Sequence, residues 1–222
     1  MPKRTLISVG LAFALLGFVA NPAEASTVVG LWHMEDSGTV MTDSSSNHLD
    51  GSVSSNVVTG EDGSVGNAFL FPKSPSTVTV PNSTKLNPGS GTFTVTVRVL
   101  FSNNPSSTVG DFDLVRKGLT STSGGNWKLE ILQNGYAFCQ FQGSSSKVTV
   151  SRGPDLSDGN WHTISCTHYS SSVRLTVNGS SSTKSGSTGY ISNSSAMIVG
   201  AKSTSGGDQY IGRLDELQIT SG

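Results

Sequence analysis

Short runs of alternating apolar and polar residues follow one another along most of the chain. In residues 93–99 the odd-numbered positions are apolar and the even-numbered ones are polar, and residues 172–177 repeat the pattern. Since successive side chains of a strand point to opposite faces, each run predicts a strand with one buried face. Further strand candidates are NWKLEIL, YAFCQFQ, KVTVSR, WHTISCTHY, AMIVGA and QYIGRLDELQI.

Turn-forming residues separate these strand candidates. QNGY at 133–136 joins two alternating runs through Asn-Gly, which is a strong hairpin signal, and VNGS at 177–180 is a second such turn. After the first residues of the chain, no segment of ten or more residues has the apolar spacing of a helix. The sequence therefore predicts an all-β fold, a sandwich of two antiparallel sheets.

The first 25 residues have the pattern of a secretory signal peptide. A basic start at Lys3 and Arg4 precedes a short apolar run, and Ala23-Glu24-Ala25 provides a small-x-small cleavage site. We therefore expect 1–25 to be removed and 26–222 to form one secreted, extracellular domain. No later apolar run is long enough for a transmembrane helix, so we expect no membrane span in the mature chain.

Charge is sparse, and its distribution excludes one class of partner. Charged residues make up 13% of the chain, against about 25% in typical soluble domains. The formal net charge is −1 and no basic cluster is visible, which argues against nucleic-acid binding. Two cysteines in an exported protein predict a disulfide between Cys139 and Cys166, with two buried free thiols as the alternative.

One stretch carries a family resemblance. LSDGNWHTISCTHYSSSVRLTVNG resembles the central motif of laminin-G-like domains, through Leu156, Asp158, Gly159, Trp161, His162, Leu175, Val177, Asn178 and Gly179. The opening segment GLWHMEDSG, the short strand GNAFLF and the closing YIGRLDELQI, with Gly212, Asp215 and Glu216, are similar to other parts of the same family. The resemblance implies a concanavalin A-like jelly roll. Members are mostly binding modules for glycans or proteins, and some enzymes share the fold.

A search of the sequence for catalytic groups favours a binding function. Glycosidases need two carboxylates facing each other across the bond, but Glu35-Asp36 and Asp215-Glu216 are neighbours on strands and point to opposite faces. His162 is interpreted as supporting its turn rather than as a base. We therefore predict a secreted, non-catalytic module that binds a glycan. A polysaccharide lyase or glycoside hydrolase of the same fold, and a protein-binding adhesion module, are the alternatives.

The resemblance also implies a metal. Many concanavalin A-like domains hold one Ca²⁺ where the first and last strands meet, and here Glu35 or Asp36 together with Asp215 would be its ligands. The alternative is that these acids cap turns and pair with basic residues such as Arg213.

Two surfaces are candidates for ligand binding. On the face of a sheet, an inward Cys139 places Tyr136, Phe138 and Gln140 outward. Joined with the polar positions of residues 94–98 and 163–167, they are expected to form one polar strip with two aromatic rings.

The second surface is the rim, where loops 102–111, 118–126, 143–147 and 201–209 are expected to meet. Its candidate ligand-binding residues are Asp111, Asp113, Asn126, Asp208 and Tyr210. His168 and Tyr169 join them, because they stand at a strand end where rim loops begin.

Overall fold

The computed structural model describes residues 26–222, so the predicted signal peptide lies outside the described residues. Sixteen strands and one 3-10 turn, Thr84–Leu86, account for its regular structure. The strands are β1 Thr27–Trp32, β2 Val40–Met41, β3 Gly51–Val53, β4 Val58–Asp62, β5 Asn67–Phe71, β6 Val78–Val80, β7 Phe93–Leu100, β8 Phe112–Lys117, β9 Asn126–Ile131, β10 Ala137–Gln142, β11 Lys147–Arg152, β12 His162–Tyr169, β13 Ser172–Val177, β14 Ser180–Ser185, β15 Met197–Val199 and β16 Gly212–Ser221. Across this part of the chain, no helix has the length and apolarity needed to span a membrane.

Two antiparallel sheets of eight strands each make the sandwich. The first sheet has the order β14-β13-β12-β7-β16-β5-β4, and β1 pairs with the remaining length of β16. The second has the order β11-β10-β9-β8-β15-β6-β3-β2. The last strand, β16, is central because it pairs with β7 on one side and with β5 and β1 on the other. The predicted all-β sandwich is confirmed.

The core lies between the sheets and is built from the inward positions of alternating strands. In β7 the burial strictly alternates, with Phe93, Val95, Val97 and Val99 buried. Every second residue of β12 is likewise buried. Burying such apolar side chains contributes about 25 cal/mol per Å² removed from water, which is the main stabilising term of the fold.

The disulfide between Cys139 and Cys166 is confirmed, and it joins the two sheets across the core. Cys139 belongs to β10 in the second sheet and Cys166 to β12 in the first, with 6.1 Å between their Cα atoms. Both residues are buried. The bridge therefore fixes how the two layers face each other.

Hydrogen bonds between two turns explain the central family motif. The His162 Nε2–H donates to Asp158 Oδ1 over 2.9 Å, and Asn178 Nδ2 donates to His162 Nδ1 over 2.8 Å. Asn178 Oδ1 also accepts from the Thr163 amide. His162 thus ties the turn before β12 to the turn after β13, which confirms its interpretation as a supporting residue. The Asp158 pKa is lowered to about 2, chiefly by the His162 hydrogen bond.

Candidate functional site

The outward-facing candidates lie on two different surfaces of the sandwich. Phe138 and Gln140 are on β10 in the second sheet, whereas residues 94–98 and 163–167 are on β7 and β12 in the first. The prediction of one polar strip is therefore wrong. Alternation indicates only which side of its own sheet a side chain takes, and the two sheets turn their outer faces in opposite directions.

The outer face of the second sheet carries four charged residues in contact, here called the charged cluster: Asp113, Arg116, Lys128 and Glu130. Asp113 on β8 pairs in register with Glu130 on β9, and Arg116 pairs with Lys128. Arg116 Nη1 donates to Asp113 Oδ2 over 2.5 Å, and Lys128 Nζ donates to Glu130 Oε2 over 2.5 Å. Each cation thus binds one carboxylate of the cluster.

Both carboxyl groups of the charged cluster are almost completely buried. Asp113 is 0% exposed and Glu130 is 2% exposed. Burial and, second to it, the nearby Asp113 charge raise the pKa of Glu130 to about 7, against the lowering effect of Lys128. Burial also raises the pKa of Asp113, against the lowering effect of Arg116. One oxygen, Asp113 Oδ1, is buried without a hydrogen-bond partner in the described chain. Buried ion pairs add little to stability, so this arrangement points to a functional site.

Amide side chains and one aromatic ring adjoin the charged cluster on the same face. Lys128 Nζ lies 5.4 Å from the centre of the Phe138 ring. Gln140 Nε2 donates to Asn126 Oδ1 over 2.7 Å, and Asn126 Nδ2 donates to Gln142 Oε1 over 3.2 Å. Three predicted residues, Phe138, Gln140 and Asn126, therefore come together beside the charged cluster.

Two rim loops complete a cleft above this face. Loop 118–125 contributes Leu119, Thr120 and Ser121, and loop 200–211 contributes Lys202 and Asp208. With Arg116 and Lys128 as its remaining lining, the cleft has a volume of about 460 Å³. It is called the charged cleft below. A neighbouring hollow of about 210 Å³ shares Arg116, Leu119 and Lys202 with it.

The loop that supplies Asp208 is held in place by backbone bonds and an ion pair. The Asp113 amide donates to Asp208 O over 2.7 Å, and Lys202 Nζ lies 3.0 Å from Asp208 Oδ2. Asp208 Oδ1 faces Gly110, where a Cβ would come within 2.4 Å of it. A larger residue at Gly110, which also has a φ of 90°, would displace this carboxylate.

Two predicted ligand-binding residues are enclosed and do not face a ligand. His168 is fully buried, since Nδ1 bonds the carbonyl of Gly91 over 2.8 Å and Nε2 bonds Thr188 Oγ1 over 2.7 Å. Burial lowers its pKa. Tyr210 is also fully buried, and its hydroxyl donates to the carbonyls of Leu100 and Arg213 at 2.9 Å each. Gly91 and Thr188 in loops enclose His168, and Leu100 at the end of β7 binds Tyr210; local alternation gives no sign of either contact.

The other predicted residues are distributed over several places. Asp113 is a buried strand residue rather than a rim acid, because β8 begins at Phe112, and Asp111 lies half-buried just before it. Tyr136 is 39% exposed at the end of the second sheet. Tyr169 lies on the outer face of the first sheet, with the Arg174 guanidinium 5.2 Å from its ring centre. These residues therefore do not form one rim site.

The carboxylates predicted to hold calcium accept hydrogen bonds from loops. Asp215 Oδ2 accepts from the amides of Ser64 and Val65, and Asp36 accepts from Thr42. Glu35 accepts from the Asn67 amide. Asp215 Oδ1 is buried without a partner in the described residues, but within 26–222 no three His, Cys, Asp or Glu residues cluster as metal ligands. The donor set fits turn capping better than a cation site. Calcium stays a prediction, which an unfolding midpoint unchanged by EDTA would contradict.

Another cavity, of about 600 Å³, shares no lining residue with the charged cluster and has few charged groups. Its wall is mainly apolar, with Phe101, Phe112 and Ile211 among its lining residues. The one charged residue that lines the cavity is Arg213. The Arg213 guanidinium already donates to Glu61 over 2.7 Å. Volume alone therefore does not make this cavity the better candidate.

Four charged residues of the cluster and the cleft were missed by the sequence analysis: Arg116, Lys128, Glu130 and Lys202. Part of the signal was present in NWKLEIL, where Lys128 and Glu130 alternate with inward Trp127, Leu129 and Ile131. Two charged residues on the outward side of one strand indicate a polar outer face. Their pairing with Asp113 and Arg116 depends on the register between β8 and β9.

Two of the solved structures with similar folds are binding domains. The binding domain of Paraclostridial Mosquitocidal Protein 1 shows 20% identity and a TM-score of 0.65, over 86% of this chain and 48% of that chain. The botulinum neurotoxin serotype D binding domain shows 15% identity and a TM-score of 0.66, over 87% of this chain and 47% of that chain. This chain thus spans about half the length of these toxin domains.

A third similar structure has nearly the same extent as this chain. Domain 4 of AbnA, a GH43 extracellular arabinanase from Geobacillus stearothermophilus, in complex with arabinotriose, shows 16% identity and a TM-score of 0.66. The match covers 90% of this chain and 94% of that domain. At these identities the likeness shows the fold alone.

Sequence comparison identifies the family. No curated protein matches the chain. The family model Laminin_G_3, described as concanavalin A-like lectin/glucanases superfamily, matches residues 73–222, which is more than half of the chain. The chain belongs to the Laminin_G_3 family of the concanavalin A-like lectin/glucanases superfamily.

Proposed function

We propose that the protein is a secreted carbohydrate-binding module that holds a glycan in the charged cleft. The observation that carries the proposal is the convergence, on one outer sheet face, of strand side chains and two rim loops. Ligand sites are typically concave and combine a few placed polar groups with apolar or aromatic surface. The charged cleft has donors in Arg116 and Lys128, an acceptor in Asp208, and the Phe138 ring beside Lys128.

The chemistry of these groups suits sugar hydroxyls. A carboxylate accepts two hydroxyl hydrogen bonds, and a guanidinium or ammonium donates to hydroxyl oxygens. Hydroxyl groups of Thr120 and Ser121 add both roles at the edge. An aromatic ring offers its face to the apolar C–H side of a sugar. A polar ligand can thus replace the water in the cleft without leaving these groups unpaired.

The similar structures support the proposal. Domain 4 of the arabinanase was solved in complex with arabinotriose, and this chain covers 94% of that domain. The other two similar structures, of the mosquitocidal protein and of the botulinum neurotoxin, are binding domains. The interlayer disulfide suits an oxidising compartment, which supports secretion through the signal peptide predicted at residues 1–25.

Two aromatic residues on opposite outer faces provide a matched test. Phe138 and Tyr169 are both half-buried, and each has a cation near its ring, at 5.4 Å and 5.2 Å. We expect Phe138→Ala to weaken binding in a polysaccharide panel about tenfold, since a stacked ring contributes about 1–2 kcal/mol. Tyr169→Ala should leave the affinity unchanged. Affinity electrophoresis with arabinan and other soluble polymers measures both.

The outcomes of this test separate the two faces. Equal affinities of Phe138→Ala and wild type, with a loss in Tyr169→Ala, would move the site to the first sheet. If wild-type protein is retained by no polymer, the glycan proposal is wrong. Circular dichroism of each variant distinguishes lost binding from lost folding.

A second candidate function, glycoside hydrolysis, is favoured by one pair of residues. Asp113 and Glu130 are cross-strand partners, and the Glu130 pKa of about 7 suits a general acid near neutral pH. Their almost complete burial beneath the cations favours binding over catalysis. Release of reducing sugar by the wild type, abolished in Glu130→Gln, would promote this function above the first.

A further inference from the structure

The lining of the charged cleft is more cationic than the chain as a whole. Three basic side chains, Arg116, Lys128 and Lys202, line it together with one carboxylate, Asp208. The full sequence has a formal net charge of −1. A local excess of positive charge in a slightly acidic protein indicates that the cleft attracts negative charge.

The carboxylates that balance this charge do not line the cleft. Asp113 and Glu130 are almost completely buried in the sheet face and are absent from the lining. Lys128 and Arg116 bind these carboxylates on one side and face the cleft on the other. A ligand in the cleft therefore meets Lys128 and the small exposed part of Arg116, which is 3% exposed, and the carboxylates lie behind them.

Arg116 is arranged to bind an anionic group. Its Nε donates to Gly118 O over 3.2 Å and its Nη1 donates to Asp113, so its position is fixed. Nη2 makes no hydrogen bond within residues 26–222, and the side chain lines the cleft. A fixed guanidinium with an available N–H group is well suited to a planar carboxylate or a sulfate.

We infer that the charged cleft recognises a sugar residue that carries an anionic group, either a carboxylate or a sulfate ester. This inference rests on the proposed function, because it names the class of glycan that the same cleft binds. Arg116 would hold the anion, and Lys202 at the loop edge would add a further positive charge. Asp208, the single lining carboxylate, would oppose binding.

Protonation of Glu130 should strengthen this preference. Glu130 faces Lys128 on its own strand, Asp113 and Arg116 on β8, and Phe138 on β10, and it senses the charge of Asp111 in the preceding loop. When Glu130 takes up a proton, Lys128 loses its ionic partner and the cleft gains positive charge. The raised Glu130 pKa, about 7, places this change near neutral pH. An acidic polymer should therefore bind more tightly at pH 5.5 than at pH 8.

The ion pair at the mouth of the cleft supplies two variants with opposite expected effects. Lys202 and Asp208 are partly exposed, so replacing either should leave the fold intact. Lys202→Gln removes a cation and should weaken binding of an acidic polymer about two- to fivefold. Asp208→Asn keeps a residue suited to the φ of 42° and should tighten binding by a similar factor. Lys184→Gln on exposed β14 is the matched control and should change nothing.

The polymers are chosen in pairs that share a backbone and differ in charge. Polygalacturonate is compared with its methyl ester, and dextran sulfate with dextran, by titration calorimetry at low salt. We expect the acidic member of at least one pair to bind at least tenfold more tightly than its neutral counterpart, with the difference shrinking as salt rises. Preference for polygalacturonate identifies a carboxylate as the ligand group, and preference for dextran sulfate identifies a sulfate.

Failure of this inference can be told from failure of the proposed function. Equal binding of the acidic and neutral members overturns the anionic preference while leaving a glycan-binding module. Tight binding of acidic polymers that neither Lys202→Gln nor Asp208→Asn alters overturns the assignment to this cleft. Retention of neither these polymers nor any member of the wider panel overturns both proposals.

Discussion

Among single residues, Glu130 has a protonation state that should be visible in the stability of the protein. Its pKa in the folded chain, about 7, is raised above the ordinary 4.5, chiefly by burial. A raised pKa means that its contribution to stability is complete below pH 4.5 and is lost as the pH rises through 7. Wild-type protein should therefore lose on the order of 2 kcal/mol more than Glu130→Gln over this range. Urea unfolding of both proteins at several pH values measures the difference.

Other buried groups also change how the wild-type free energy of unfolding depends on pH, so the comparison with Glu130→Gln is needed. The raised pKa of Asp113 acts in the same direction as that of Glu130. The lowered pKa of His168 acts in the opposite direction, since its contribution is present above pH 6.5 and is lost as the pH falls through its folded pKa. Parallel pH profiles of wild type and Glu130→Gln would contradict the assignment of a titration near pH 7 to Glu130.

Sequence alternation predicts orientation at a residue but not what covers it. It correctly placed Phe138 and Gln140 on the outward side of β10. It could not show that Gly91 and Thr188 enclose His168, or that Leu100 and Arg213 bind the Tyr210 hydroxyl. Those contacts join segments up to 110 residues apart in the chain, and local pattern contains no information about them.

The turn between β13 and β14 combines a special backbone conformation with side-chain hydrogen bonds to β12. Asn178 has a φ of 47° and Gly179 a φ of 81°, both in the left-handed region. Asn178→Gly removes only the bonds to Thr163 and His162, whereas Asn178→Ala also forces a Cβ into this conformation. We expect Asn178→Ala to lower the free energy of unfolding by about 1 kcal/mol more than Asn178→Gly. If urea unfolding shows equal losses of free energy in the two variants, only the hydrogen bonds of the Asn178 side chain contribute.

The register between neighbouring strands, which decides which side chains meet in the site, could not be predicted from the sequence. A bulge lies between Asp113 and Val115 where β8 pairs with β9. An extra residue on one strand changes which side chains share a face, so strict alternation along β8 fails at this point. Asp113 was predicted as a rim acid because it was grouped with the preceding loop, and its pairing with Glu130 became visible only in three dimensions.

Across the whole molecule, local signals predicted the class of fold, and the arrangement of its layers needed more. The first Asn-Gly turn gave the β9–β10 hairpin, and the two cysteines gave the bridge between layers. The second gave the turn after β13, but β14 itself was predicted as a loop. No local signal showed that β7 and β12 belong to one sheet while β10 belongs to the other. Sheet membership follows from long-range pairing, such as that of β16 with β1, β5 and β7. For this reason the predicted binding strip joined two opposite faces.

The disulfide provides a test of how the two layers hold together. Cys139 and Cys166 are 27 residues apart, and closing a loop of this size in the unfolded chain corresponds to about 3 kcal/mol of stabilisation. The double variant Cys139→Ala/Cys166→Ala should lose about this much in urea unfolding. It should still fold, because the apolar core between the sheets does not depend on the bridge.

A reducing agent supplies the control for this prediction. Both cysteines are buried, so reduction of the wild type should be slow in the native state and complete only once the protein unfolds. With reductant present during unfolding and refolding, the wild-type midpoint should approach that of the double variant, whose own midpoint should not move. Coincident midpoints for oxidised wild type and the double variant would mean that core packing alone sets the stability of the sandwich.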